Sequence, residues 1–473
     1  MKASFLLLYM ILFFIGITKS SAQINFDHIS FEDFKLPDID RQALDISGSF
    51  NGNYSDSHQN FLDDHEQQSL ISPDLRFSYS WFINRKDLQF TWNASTFQNL
   101  ELSRSNSTIF TRESSRKYEP ILQFSAVKRK YRSQAFFETG GSTFISLLSQ
   151  RDLQFTTNNS DKLKDNRIIA NISASVGFGK GRIEPVSDLA MALFVLSDAT
   201  DLGVDATSMT QENIFAFASL MAEVRNKRIF DDRRNRIQQL RDLYSFMLDK
   251  NWVVQNDPGF FTVLTDNWIE NLFFSRFTGK RWRFILSPQL AYQKEAAKTG
   301  SFPLFNSRST DIGSELLVEF RKETPVNLHK GRWRFHELHL DVTSRHELAN
   351  NFEPFIDVSS FLEIAFKNGW GKNWFPTNRS SILADITMDY FLRHVFTQDR
   401  FGPSIDLHRL TPALNGQFNY LLSWKTRLNM SASLDYNLSN GENSFTNGNG
   451  QLINSTINGF NAKIFASILV SLF

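Results

Sequence analysis

The feature that most restricts this chain is an alternation of period two that returns along most of its length. Leu44, Ile46, Gly48, Phe50, Gly52 and Tyr54 are apolar or small, while Asp45, Ser47, Ser49, Asn51 and Asn53 between them are polar. The pattern recurs from Leu75 to Ile83, Leu88 to Ala94, Ile168 to Phe178, Leu414 to Trp424 and Leu428 to Leu438. Successive side chains on a strand point to opposite faces, so each run is a strand with one wet and one greasy face. A soluble sandwich alternates too. Three things count against it here. The runs reach about 10–16 residues, against about 5–6 in ordinary sheets. Trp81, Trp282, Trp333 and Trp424 fall towards strand ends, where a membrane barrel carries its aromatic girdles. The connections also alternate between short and long.

Asn84–Asp87, Lys128–Lys130 and Lys425–Thr426 read as tight turns, and 55–72, 103–118, 158–166 and 440–455 as long loops. Residues 132–157 read as one strand kinked at Gly140–Gly141. Six strands then precede residue 179. Eight follow residue 279, at 280–294, 310–322, 331–345, 353–367, 379–393, 412–424, 427–439 and 456–473. An even number returns both termini to one side. In lipid an open sheet edge leaves a row of unpaired N–H and C=O groups, which closure removes. The expected fold is an all-β transmembrane β-barrel of about 14 antiparallel strands, with 12–16 open, and an α-helical insert after the sixth.

The ends of the chain point the same way. Lys2, a 13-residue apolar run from Phe5 to Ile17, and small residues at Ser20 and Ala22 form the layout of a signal peptide cleaved after Ala22. The expected division is therefore a leader at 1–22, barrel wall at 23–178, helical insert at 179–279 and barrel wall at 280–473. The final Phe473 resembles the terminal aromatic signal read by the outer-membrane barrel-assembly machinery. Phe465 and Leu469 fit that pattern, whereas Ser471 and Ser467 depart from it. The Ser-Ala-Gln ending of the leader looks like that of many Bacteroidota exported proteins.

Residues 185–275 change period to 3.6: Leu189, Leu193, Leu196; Phe217, Leu220, Met221, Val224; Ile237, Leu240, Tyr244, Met247, Leu248. These are amphipathic helices. Pro185 and Pro258 mark starts, and Thr210 is a candidate N-cap. Arg225, Lys227, Arg228, Arg233, Arg234, Arg236 and Arg241 make the middle basic. They form a solvated face, a docking face for a periplasmic protein partner or for anionic cargo, or a plug that pairs with acidic lumen residues. The Gly-rich junction Gly177–Pro185 has neither P-loop nor dinucleotide spacing and reads as a flexible exit from the wall. Continuing through Ser187 and Asp188, it resembles a junction in uncharacterised, porin-like Bacteroidota outer-membrane barrels with a helical insert. The resemblance implies a class of protein and no activity.

Composition closes off other chemistries. Fifty-one Lys and Arg against 50 Asp and Glu exclude a generic basic nucleic-acid binder. The absence of Cys excludes disulfide scaffolds, thiol catalysis and Cys-based metal sites. Mean hydropathy is −0.30, and no apolar run approaches the ~18 residues of a membrane helix. His336 and His339 sit three apart on a strand and so face opposite ways, which defeats a shared metal. His339 with Asp341, and Asp385, Asp389 and Arg393, read as lumen-lining candidates. Asn368–Pro376, rich in aromatics, reads as an interfacial anchor. No catalytic set, cofactor or metal is implied. The expected role is a passive or gated outer-membrane channel for small solutes, with lipid as its surroundings. The rival is an anchor or assembly protein presenting the helices to a partner, and a weaker rival is an outer-membrane hydrolase.

Overall fold

A computed structural model of the chain describes residue 26 and residues 28–470, apart from 60–63, 108–111, 157–158, 201, 203–208, 227–231, 254–257, 270–274, 299–304, 351–353, 398–404, 424–425 and 447–451. The expected leader at 1–22, Lys227, Arg228, Trp424 and Phe473 lie outside the described residues. Six strands come first: β1 (Ile39–Gln59), β2 (Asp64–Asn84), β3 (Leu88–Ser107), β4 (Arg112–Arg132), β5 (Ala135–Thr156) and β6 (Asn159–Pro185). Four helices follow: α1 (Ser187–Thr200), α2 (Gln211–Asn226), α3 (Asp232–Asp249) and α4 (Pro258–Ile269). Then come β7 (Phe277–Lys298), β8 (Phe305–Asn327), β9 (Lys330–Asn350), β10 (Pro354–Thr377), β11 (Ser380–Thr397), β12 (Ile405–Ser423), β13 (Thr426–Thr446) and β14 (Leu452–Val470). All fourteen strands lie in one sheet in chain order, each antiparallel to its neighbours.

The strands are longer than the alternation indicates. They run 18 to 27 residues. At about 3.3 Å per residue a typical one is ~70 Å long. Most of 55–72, 103–118 and 440–455, expected as loops, is therefore strand, and β6 starts inside 158–166. These stretches are polar on both faces, so period two does not show in them. Lys128–Lys130 is not a corner: the three residues pair with Thr139, Glu138 and Phe137 inside the β4–β5 ladder. The turn comes at Ser133–Gln134, with Ser133 at φ 60°. The register passes Gly140 and Gly141 without a shift, so β5 has no bulge there.

Register sorts the side chains of the whole sheet into two sets. Cross-strand partners share a face, as Ser173 with Ser142 and Gln289 do, while Ile172 sits with Thr143 and Leu290 on the other. One face carries Ser, Asn, Gln and charged residues. The other carries every large apolar strand residue that is exposed among those described, from Leu44 through Leu122, Ile172, Leu286 and Ile386 to Leu438.

The β6–β7 ladder also reaches further towards the helices than expected. Pro185 does not open a helix but pairs with Phe277 at the end of the β6–β7 ladder, and α1 begins at Ser187. Gly181 and Gly279 hold φ of +92° and +111° just before that end. Only glycine adopts such values without strain. A Cβ on Gly279 meets the Arg182 carbonyl oxygen at 2.2 Å, whereas one on Gly331 meets nothing nearer than 3.8 Å. Gly279→Ala is expected to cost about 1–3 kcal/mol and to lower the unfolding midpoint, with Gly331→Ala near wild type. Equal midpoints for the two variants would show that the junction tolerates side chains.

The helices form their own core at the end of the sheet that carries the short turns. Leu189, Leu193, Leu196, Phe217, Met221, Val224 and Met247 are buried as the 3.6-residue period requires, while Ile237 is 48% exposed and outside it. Thr210 caps α2, its Oγ1 accepting from Asn213 N–H at 3.3 Å. Phe26, Ile29, Phe31 and Phe34, assigned to the barrel wall by sequence, pack instead into this helical core. So do Leu328 of the β8–β9 turn and Phe375 of β10.

Candidate functional site

The polar face near the short-turn end carries a ladder of charges that the sequence reading missed. Glu138 on β5 accepts from Arg129 Nε on β4 at 2.5 Å and from Arg283 Nη1 on β7 at 3.0 Å. Arg283 Nη2 donates across to Glu319 on β8 at 2.6 Å, and Arg281 Nη2 reaches the same carboxylate at 2.8 Å. Arg321 pairs with Glu323 at 2.7 Å. Glu138 and Glu319 are 2% and 4% exposed. Beside the ladder, Tyr131 donates to Gln89, which donates to Asn84, which accepts from Arg182. Buried carboxylates are stable only when paired in this way.

The helical unit is fastened across the same end. Arg276 donates from Nη1 to the Leu328 carbonyl at 2.6 Å, and its guanidinium lies 3.7 Å from the centroid of the Phe375 ring. Burial pushes the pKa of Arg276 down. Asn378 Nδ2 donates to Asn267 on α4 at 2.5 Å, and Arg379 pairs with Asp266. Between the polar face and the helices lies a cavity of about 420 Å³, lined by residues of β1–β4, β6–β8, α1 and α2.

The residues singled out by sequence are placed as follows. His339 does not pair with Asp341. Its Nδ1 is 2.5 Å from Glu315 and its Nε2 is 3.3 Å from Glu337. Asp341 is shorter and is engaged by Gln289 and Thr343, each at 2.6 Å. His336 faces the other way, 2.5 Å from Asn368 Oδ1. Asp385, Asp389 and Arg393 share the polar face but are partnered separately. Asn415 donates to Asp385 at 2.8 Å, Lys367 lies opposite Asp389, and Arg393 pairs with Glu363 at 2.7 Å.

The basic run does not act as one surface. Arg225 is turned inward: it pairs with buried Asp188 and lines the cavity, so it is no part of an outward docking face. Arg233, Arg234, Arg236 and Arg241 fall on α3, where Arg241 is exposed. In the Asn368–Pro376 stretch, Trp370 is exposed on the apolar face, while the rings of Phe335 and Trp333 cover Gly369 and Gly371 on the polar one. Among the described residues no group of three or more His, Asp or Glu is arranged to hold a metal ion. No family model matches this chain, and no curated protein matches it.

Proposed function

We propose that β14 closes onto β1, that the resulting 14-stranded barrel spans an outer membrane, and that the protein is a gated conduit for small solutes. The observation that carries this reading is the sorting of the sheet. Its exposed large apolar strand residues all share one face, among them Leu44, Ile172, Leu286, Ile312, Val342 and Ile386 at 44–64% exposure. Water does not favour an apolar surface of that extent, and contiguous patches beyond a few hundred Å² mark a partner or a membrane. Closed with this face outward, the sheet meets lipid on one side and encloses a polar lumen on the other. The strands exceed the ~25 Å apolar band of such barrels, so their polar ends stand clear of the bilayer. Both termini, the short turns and the helices then lie at one end, the periplasmic one. The helices cover that end, which makes the conduit gated rather than open. The hydrolase reading loses its best-placed histidine, because Glu315 and Glu337 occupy both ring nitrogens of His339.

Conductance in a planar bilayer tests the reading. Pro185 and Phe277 face each other, so a short turn can replace the segment between them, with residues 26–34 removed alongside. The expected result is brief or small steps from the intact protein and sustained, larger steps once the helices are gone. Silence from both folded proteins would sink the conduit and favour the anchor reading, in which the helical unit serves a periplasmic partner.

A further inference from the structure

The cavity between the charge ladder and the helical unit has a composition unlike the rest of the polar face. Five arginines line it, namely Arg41, Arg129, Arg225, Arg281 and Arg321, against the single carboxylate of Asp188. Glu138, Glu319 and Glu323, which fix three of these guanidiniums, are not among the lining residues. A guanidinium has five N–H donors, and a pairing with one carboxylate leaves some of them over. Among the described residues the Arg41 side chain has no carboxylate partner, and it lies close enough to Arg225 for the two charges to repel. That like charge, after burial, helps hold the pKa of Arg225 down. Asp188 answers Arg225, and the carboxylates that answer Arg129, Arg281 and Arg321 stand outside the lining, which leaves Arg41 as the unanswered positive charge of the cavity.

The remaining lining is mixed, with Gln89, Thr91, Ser187 and Asn226 beside apolar residues. Phe82, Phe277, Ile183 and Ile39 face the same space. A volume of about 420 Å³ is in the range of small-molecule sites. An oxyanion placed among guanidiniums accepts charge-assisted, often bidentate hydrogen bonds. We propose that this cavity is a binding site for a small organic anion, its carboxylate or phosphate group held by Arg41 and Arg321 and its short apolar body lying on Phe82 and Phe277. The site goes beyond the conduit reading and does not require it, since the sheet and helices alone form the cavity. In a conduit it would select the solute just above the helices.

Calorimetric titration of the full-length protein in detergent tests this, with the heat of titration into protein-free micelles subtracted. The probes are hexanoate, hexan-1-ol and inorganic phosphate. Hexanoate should bind with one site per chain, and hexan-1-ol at least ten-fold more weakly. Arg41→Gln and Arg321→Gln should each weaken hexanoate about ten-fold. Arg345→Gln, which alters an arginine paired with Asp311 elsewhere on the polar face, should leave it unchanged. No hexanoate binding, equal binding of hexan-1-ol, or an Arg345→Gln effect as large as that of Arg41→Gln would each overturn the proposal. Phosphate binding as tightly as hexanoate would overturn the part assigned to the apolar wall. Because no bilayer is involved, failure of the conductance experiment would leave this result standing, and the reverse holds too.

Discussion

Glu138→Ala should destabilise the folded protein by about 3–5 kcal/mol, the cost typical of removing one partner from a buried ion pair. The reason lies in what remains behind. Arg129 would lose its only carboxylate in the ladder, and Arg283 would keep Glu319 alone. Glu138 is 2% exposed, so water does not take over the lost hydrogen bonds. Denaturant unfolding of the protein refolded in lipid vesicles measures the loss. Asp45→Ala, on a strand where neighbouring residues are exposed, serves as the comparison and should stay within about 0.5 kcal/mol. A loss below about 1 kcal/mol for Glu138→Ala would mean that the ladder is hydrated and that its geometry contributes little.

Leu286→Arg should cost about 2–4 kcal/mol if its surroundings are hydrocarbon. Leu286 is 44% exposed, and its partners across the ladders are Val176 and Leu316. On a water-facing surface, a substitution at so open a position falls within about 0.5 kcal/mol. Ser287 is the adjacent residue and points to the polar face, so Ser287→Arg should cost under about 1 kcal/mol. The pair differs by one position in sequence and by the medium each side chain enters. Folding free energies in vesicles decide it, and equal, small losses from both variants would remove the membrane from the proposed function.

How much of this was legible beforehand depended on whether the two faces of a strand differ. Where one face is greasy, as at Ile168–Phe178, period two marks the strand plainly. Where both faces are polar, as at Ser55–Gln59 and Asp64–Ser69, nothing in the spacing separates strand from loop. The fourteen strands were counted from their apolar middles, and their polar ends stayed hidden. Lys128–Lys130 illustrates a second limit. Three adjacent charges read as a corner, yet Arg129 alone turns to the polar face and meets Glu138, a residue nine positions away. Read as a turn, the run conceals Arg129, and with it the ladder. Arg281 and Arg283, two apart, with Glu319, Arg321 and Glu323 at the same spacing on the next strand, were the available signal. His339 and Asp341 failed differently: sharing a face places two side chains near each other but does not decide which neighbour wins. The cavity is not legible at all, because its walls are drawn from nine elements spread between Leu36 and Arg321.

The helical core has a consequence for how the chain comes together. Each strand pairs with its immediate successor, so the sheet grows by local closures that cost little loop entropy. The core beneath it is the reverse. It joins Phe26–Phe34 from the start of the chain to helices beginning at Ser187, and both to Leu328 and Phe375 far downstream. Its parts are spread from Phe26 to Phe375, and a sheet paired through β10 brings them within reach. Protection of the helical core against hydrogen exchange should therefore appear after that of the β5–β6 ladder. Completion of the helical core in effect certifies that the strands it touches have been paired in the right order.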